Sequence, residues 1–428
     1  MKRPLLIPLA LTLLSLWARA EDKGPKEDDF LIFDKIEEDQ RAAPVAPAPL
    51  PEPSAPASQR KIPGAASASL RTILLDVPDK SFASARMSTL KAEAVQQGTK
   101  AEPVIAFDAA TVTLQAALEK ASAWAVAGNE KFPDGLTLKV SAEGGYGTHE
   151  HDAAGAATAV LLDSIGNGHE IDPLVAIVGG VNEKGHITAA PRLATRLRTL
   201  ETDPPPPAIG VPMLSEVEVR DLALMDELDV LARQQIISLV TLDDARAIAA
   251  KKKPERVAKA FDLFATVRDA ASRAPVKTLL KNPKFLQRLQ EIVTAMPNHL
   301  SAKLLLLAAT NKVPGRITFA TSRQAILKAI KPFVNVTSSN RPAKDIQAAA
   351  TEGGNVLLRI QPKIHLSVER YLVAMKAYLR AVNNYLDIAP GDGRANKMRA
   401  KAYEDINRLL ADVQREKESL DKEEGKIQ

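Results

Sequence analysis

Leu136-Thr137-Leu138-Lys139-Val140, then Gly144-Gly145-Tyr146-Gly147, then Ala153-Ala154-Gly155-Ala156-Ala157-Thr158-Ala159-Val160-Leu161-Leu162: this succession decides the fold. Apolar and polar residues alternate over 136–140, which predicts a strand with one face turned inward. The glycines end it, because they reach backbone angles that other residues avoid. The alanine-rich run over 153–165 favours a helix, and its small side chains let a neighbouring backbone approach closely. A strand, a glycine turn and a helix in that order are the building unit of an α/β fold.

The flanks repeat the unit. Residues 70–77 read as a strand. Asp108 or Thr111 can cap a helix that continues through Leu114, Ala117, Leu118, Ala121, Trp124 and Ala125. Residues 173–181 read as one buried strand, with Asn182-Glu183-Lys184-Gly185 as a hairpin turn. A helix is expected over 192–200, a rigid loop at Asp203-Pro204-Pro205-Pro206-Pro207, and a strand over 208–213. Short helices over 216–224 and 242–250 flank a strand over 235–239. The α/β domain is therefore placed at 67–250.

From Pro254 the chain turns to helix, giving an all-α helical domain over 254–428. Phe261, Phe264, Val267 and Ala271 share one face, and Phe285, Leu286, Leu289 and Ile292 another. Pro297-Asn298-His299-Leu300 resembles the helix start of a tetratricopeptide-like repeat, without a repeating period around it. Tyr371, Met375, Tyr378, Val382 and Tyr385 form a stripe. Pro390-Gly391-Asp392-Gly393 breaks the chain, and Tyr403, Ile406, Leu410 and Val413 form a second stripe. These predict a helical hairpin, whose charged end after Arg415 is expected to fray.

The N-terminal residues read as targeting and linker sequence. Lys2-Arg3, an apolar run over 5–17, and Ala18-Arg19-Ala20 followed by Glu21-Asp22 predict a signal peptide over 1–20. The expectation is an exported protein, periplasmic or extracellular and of bacterial type, touching a membrane only through an uncleaved signal segment. Residues 21–66 are charged, then rich in Pro and Ala, which is linker composition. The apolar patch Phe30-Leu31-Ile32-Phe33 interrupts them.

The 428 residues are 45% hydrophobic, 25% charged and only 4% aromatic, so Ala, Leu and Val must fill the cores. With a net charge of +5 and no basic stripe interleaved with aromatics, a nucleic-acid partner is not expected. The chain has no cysteine, which excludes a Cys nucleophile and thiolate metal sites. No Gly-x-x-x-x-Gly-Lys-Ser/Thr loop occurs, so ATP is not an expected ligand, and no cofactor is expected.

The segments Thr148-His149-Glu150-His151-Asp152-Ala153-Ala154-Gly155 and Gly185-His186-Ile187-Thr188-Ala189-Ala190-Pro191-Arg192-Leu193-Ala194-Thr195-Arg196-Leu197 resemble the two catalytic segments of the Lon-type serine peptidases. That resemblance implies a Lon proteolytic-like α/β domain, a peptide-binding groove and a homo-oligomer. The family attacks the peptide carbonyl with a serine and takes the proton with a buried lysine. Here Ala153 stands at the serine position and Ala194 at the lysine position. Ala154, one residue on, offers no hydroxyl either. Arg192 and Arg196 lie near the lysine position, but a guanidinium stays protonated and is a poor base.

Three other groups of residues compete for a chemical role. Asp152 with His151 can form an acid–base pair, and Thr158 lies just over a turn into the helix as a substitute hydroxyl. Thr195 and Ser164 read as ordinary helix residues. His149 and His151, at i and i+2, can hold a metal with Asp152 or His186, but a solvated polar loop is the preferred reading and no metal is expected. Three functions remain open. The first is a pseudopeptidase that binds a peptide or protein, the second a hydrolase with a displaced site over 146–158. The third is an assembly module that uses the C-terminal helices.

Overall fold

The computed structural model describes residues 67–79, 82–97, 104–107, 112–127, 136–146, 152–190, 192–200, 205–338, 341–389 and 391–427. The signal peptide over 1–20, the linker over 21–66, His149 and His151 lie outside the described residues.

Strands β1 (Ser67–Asp79) and β2 (Phe82–Gln97) form an antiparallel pair in which Leu70 faces Leu90 and Ile73 faces Met87. Strand β3 (Val104–Phe107), helix α1 (Val112–Ala127) and strand β4 (Leu136–Ala142) follow. β4 pairs antiparallel with β2 and parallel with β3. After helix α2 (Gly155–Asn167), strands β5 (Ala176–Ile177), β8 (Ile209–Pro212) and β9 (Ile236–Leu239) extend the sheet in parallel. The result is a mixed seven-stranded sheet in the order β3-β4-β2-β1-β5-β8-β9. Four consecutive β1 residues, Thr72 to Leu75, are buried, which requires cover on both faces of the sheet.

The single strand expected over 173–181 is instead two. Gly179 adopts φ 134°, a conformation that favours glycine, and the chain leaves the sheet there. Beyond it β6 (Gly180–Val181) pairs only with β7 (Ile187–Thr188), as a small separate hairpin. The long β2 has no counterpart in the sequence reading. Its Ala, Glu and Gln content suits a helix, and pairing with β1 and β4 overrides that local preference. Helix α3 (Leu193–Thr199) and helix α4 (Glu216–Leu224) are present as expected. The short helix α5 (Leu228–Arg233) was not read from sequence. Helix α6 (Leu242–Ala249) carries a full capping box between Thr241 and Asp244.

Beyond Pro254 the described chain is helical: α7 (Glu255–Arg273), α8 (Val276–Leu279), α9 (Pro283–Ala295), α10 (Leu300–Ala309), α11 (Phe319–Ser338), α12 (Ala343–Ile360), α13 (Glu369–Asp387) and α14 (Gly393–Ile427). The change of secondary structure at Pro254 does not end the first core. Phe264, Leu289, Ile292 and Leu305 belong to the same buried cluster as the sheet. A second cluster is built on α11–α14, with Phe333, Leu357, Tyr378 and Val413 inside it.

Helix α10 explains why α7–α10 stay with the sheet. Its N-terminal segment seals the outer edge of β9, where unpaired backbone groups would otherwise face outward. The Asn298 carbonyl accepts from the Ser238 N–H at 2.9 Å, and the Asn298 side-chain amide donates to the Ser238 carbonyl at 2.8 Å. Ser301 accepts from the Ile236 N–H at 3.0 Å and donates to the Gln234 carbonyl at 2.7 Å. His299 caps α10 by accepting from the Ala302 N–H, and burial pushes its imidazole down to about 3, so it is neutral.

The end expected to fray after Arg415 is helix instead. Leu420 is 3% exposed in the second core, and Asp421 pairs with Arg323 of α11. Tertiary burial of one stripe holds a segment whose charge alone suggested solvent.

Candidate functional site

The start of α2 is built by close backbone contact. The Ala153 carbonyl accepts from the Gly179 N–H, and the Ala156 N–H donates to the Gly179 carbonyl, each at 2.8 Å. These two bonds tie the helix start to the carboxyl end of β5. Residues from Gly155 to Ile165 are all buried, and a Cβ placed on Gly155 would lie 3.3 Å from the Gly180 Cα. The small residues over 153–157 are therefore needed for packing. Ala153 is fully buried, and so is Ala154 beside it.

The hydroxyls near this helix are engaged in the fold. Thr158, fully buried, donates to the Ala154 carbonyl at 2.9 Å. Ser164 donates to the His169 carbonyl at 2.6 Å, and Thr195 donates to the Gln324 side chain at 3.3 Å. A hydroxyl held on a carbonyl presents no proton to a base.

Asp152 is half-buried beside Gly180. A Cβ on Gly180 would meet Asp152 Oδ2 at 2.6 Å and Thr188 Oγ1 at 2.4 Å, so β6 passes tightly between these two side chains. His186 is exposed at the β6–β7 turn, where its N–H donates to Asn182 Oδ1 at 3.0 Å and its backbone bridges to Thr241. Among the described residues, no group of three or more His, Cys, Asp or Glu side chains could hold a metal ion.

Ala194, 2% exposed, lies in the first turn of α3. Its N–H donates to Glu218 Oε2 at 3.1 Å, and the Ala190 N–H donates to Ser215 Oγ at 3.2 Å. Arg192, just before α3, takes the left-handed conformation at φ 56°. Arg196 is buried and donates to the Ile73 carbonyl at 2.6 Å, which fixes α3 against the sheet. Its role is anchorage, as the guanidinium chemistry suggests.

Glu218 is the residue that the sequence reading missed. Burial pushes its carboxyl up to about 7, and the neighbouring Asp221 adds to the effect. The Ala194 N–H, Arg196 and Arg198 act in the opposite direction. The signal that could have found it is Ser215-Glu216-Val217-Glu218, a capping-box pattern at the start of α4. Neither side chain caps α4. Both are turned to N–H groups of another segment, those of Ala190 and Ala194.

The chain matches no protein-family model and no curated protein. Pro212 pairs with Leu239, so the next residues, Met213 and Val240, emerge side by side where β8 and β9 end. Met213, Leu214 and Val240 are 45%, 38% and 43% exposed. Open α/β sheets present ligands at the carboxyl ends of their parallel strands. Here that end carries an apolar rim, the glycine-lined start of β6 and two buried alanines.

Proposed function

We propose that residues 67–250 form a Lon-type proteolytic-like scaffold that has lost its chemistry and serves in an exported protein to bind a peptide or protein. The observation that carries this reading is the pair Ala153 and Ala194, with 0% and 2% exposure and neither a nucleophile nor a base. Exposed Met213, Leu214 and Val240 supply apolar contacts for a bound segment at the strand ends. The test is casein cleavage by the purified protein, together with binding of an unfolded casein chain. Binding without turnover is expected. Turnover that survives purification to a single species and is lost in Ala153→Trp would sink the proposal.

A second reading gives the helical unit an assembly role. Leu358, Leu366 and Val373, between 49% and 64% exposed, lie on α12, the loop after it and α13. Because the first core continues through α10, the informative truncation falls near residue 313 rather than at Pro254. If that truncated protein retains every pull-down partner, the assembly role should be dropped.

A further inference from the structure

The apolar patch Phe30-Leu31-Ile32-Phe33 stands inside a strongly acidic stretch. Over residues 27–39 seven side chains are acidic and one, Lys35, is basic. An apolar centre in a negative frame suits a surface that is apolar at its centre and positive at its rim.

The helical unit presents such a surface. Leu358 on α12, Leu366 on the turn after it and Val373 on α13 are exposed, while Leu357, Ile364, Val368 and Leu372 beside them fill the second core. Lys376 of α13 donates to the Gln361 side chain just after α12 at 2.7 Å. Leu358 precedes Gln361 by three residues and Val373 precedes Lys376 by three, so both flank this bond on the outer face of the helix pair. Over residues 356–380 the chain carries Arg359, Lys363, Arg370, Lys376 and Arg380 against a single acid, Glu369. Arg359 and Arg370 are exposed, and among the described residues neither makes an ion pair. The apolar rim at the strand ends has the opposite charge. Met213 and Leu214 run on into Glu216 and Glu218, and Val240 into Asp243 and Asp244, which disfavours an acidic segment there.

We propose that residues 27–39 dock in cis on the outer face of the α12–α13 pair, with Phe30-Leu31-Ile32-Phe33 covering Leu358, Leu366 and Val373 and the flanking carboxylates beside Arg359 and Arg370. The tether is long enough. The 33 residues over 34–66 lead to β1 at Ser67. Extended, they span roughly 100 Å, against about 50 Å for the width of a compact chain of this size. Tethering also gives the segment a local concentration in about the millimolar range, so a weak contact suffices. The face is then covered until a better-matched partner displaces the segment. Neither peptide binding at the strand ends nor an assembly partner is needed for this contact.

The chain has no cysteine, so two introduced thiols report on the contact alone. The test is disulfide formation in the full chain carrying Gln40→Cys and Ser367→Cys, the second beside Leu366. Rates are normalised to the reaction of each thiol with a small disulfide reagent. A monomeric cross-link is expected, at a rate independent of protein concentration. Adding Phe30→Ser with Phe33→Ser should slow it by about tenfold or more, because two apolar rings leave the contact. Arg359→Glu with Arg370→Glu, and about 1 M salt in the parent, should slow it as well. The proposal is overturned by a rate that either pair of substitutions leaves unchanged. It is equally overturned by cross-linked dimers whose yield rises with concentration, which would make a second copy the occupant.

Discussion

Asn298 satisfies both backbone groups of Ser238: its carbonyl accepts from the Ser238 N–H at 2.9 Å and its side-chain amide donates to the Ser238 carbonyl at 2.8 Å, which completes a strand-like pairing. A loop before a helix thereby takes the place of an eighth strand. It closes the sheet at β9 and makes α10 part of the first core.

Asn298→Ala removes one of these bonds and leaves the Ser238 carbonyl without its partner. A loss of about 1–3 kcal/mol is expected. Urea denaturation checks it, and Asn298→Asp, which cannot donate, should behave similarly. An unchanged midpoint would mean that water replaces the amide.

Asp221 joins α4 to the start of α11. Asp221→Ala strips Thr318 of its acceptor and should cost about 2 kcal/mol. The loosening should be local to the junction, so limited proteolysis should cut near residues 313–318 sooner than in the wild type. Cleavage elsewhere at first would contradict this role.

Glu218 gives stability a defined pH course. Its folded carboxyl titrates at about 7 against 4.5 for the free group. A raised folded pKa means that the folded state binds the proton more tightly. The contribution is fully present below pH 4.5 and is lost as pH rises through 7. Asp221 is shifted in the same direction by burial. Glu218→Gln should therefore flatten the fall in Tm over this range and leave the variant more stable above it, by about 2 kcal/mol after allowance for solvent screening. A Tm profile parallel to the wild type would refute the assignment.

Gly180 is held between Asp152 and Thr188. An added methyl would fall 2.6 Å from Asp152 Oδ2 and 2.4 Å from Thr188 Oγ1, closer than side chains tolerate. Gly180→Ala should destabilise by about 1–3 kcal/mol. Thr188→Ala in the same protein should recover part of the loss, because one of the two clashes disappears. Calorimetry of the two variants reads the difference.

The end of α14 is a packed helix. Leu420 is buried and Asp421 pairs with Arg323, so deleting residues 416–428 should unfold part of the second core and not merely trim a tail. A fall in Tm of several degrees is expected for the helical unit. Removing the same residues from a frayed end would leave Tm unchanged.

Much of the α/β unit was legible. Residues 136–140, 153–165, 208–213 and 235–239 carry patterns that read as strand or helix, and each overlaps an element of the expected type. β2 was not legible, because its Ala, Glu and Gln composition reads helical until β1 offers a partner. The division of 173–181 was hidden in Gly179, whose backbone angle no pattern of hydrophobicity encodes.

At the candidate site the sequence by itself determined that alanine stands at 153 and at 194, so neither side chain can act as a nucleophile or a base. It also determined the small residues that let α2 approach β6. Only the tertiary structure decided that Glu218 leaves its own helix for Ala194, and that Asn298 completes the edge of β9. The reason is physical. Periodicity and propensity report on neighbours along the chain, whereas the partner of a buried carboxyl or an open strand edge is chosen by distant segments brought together.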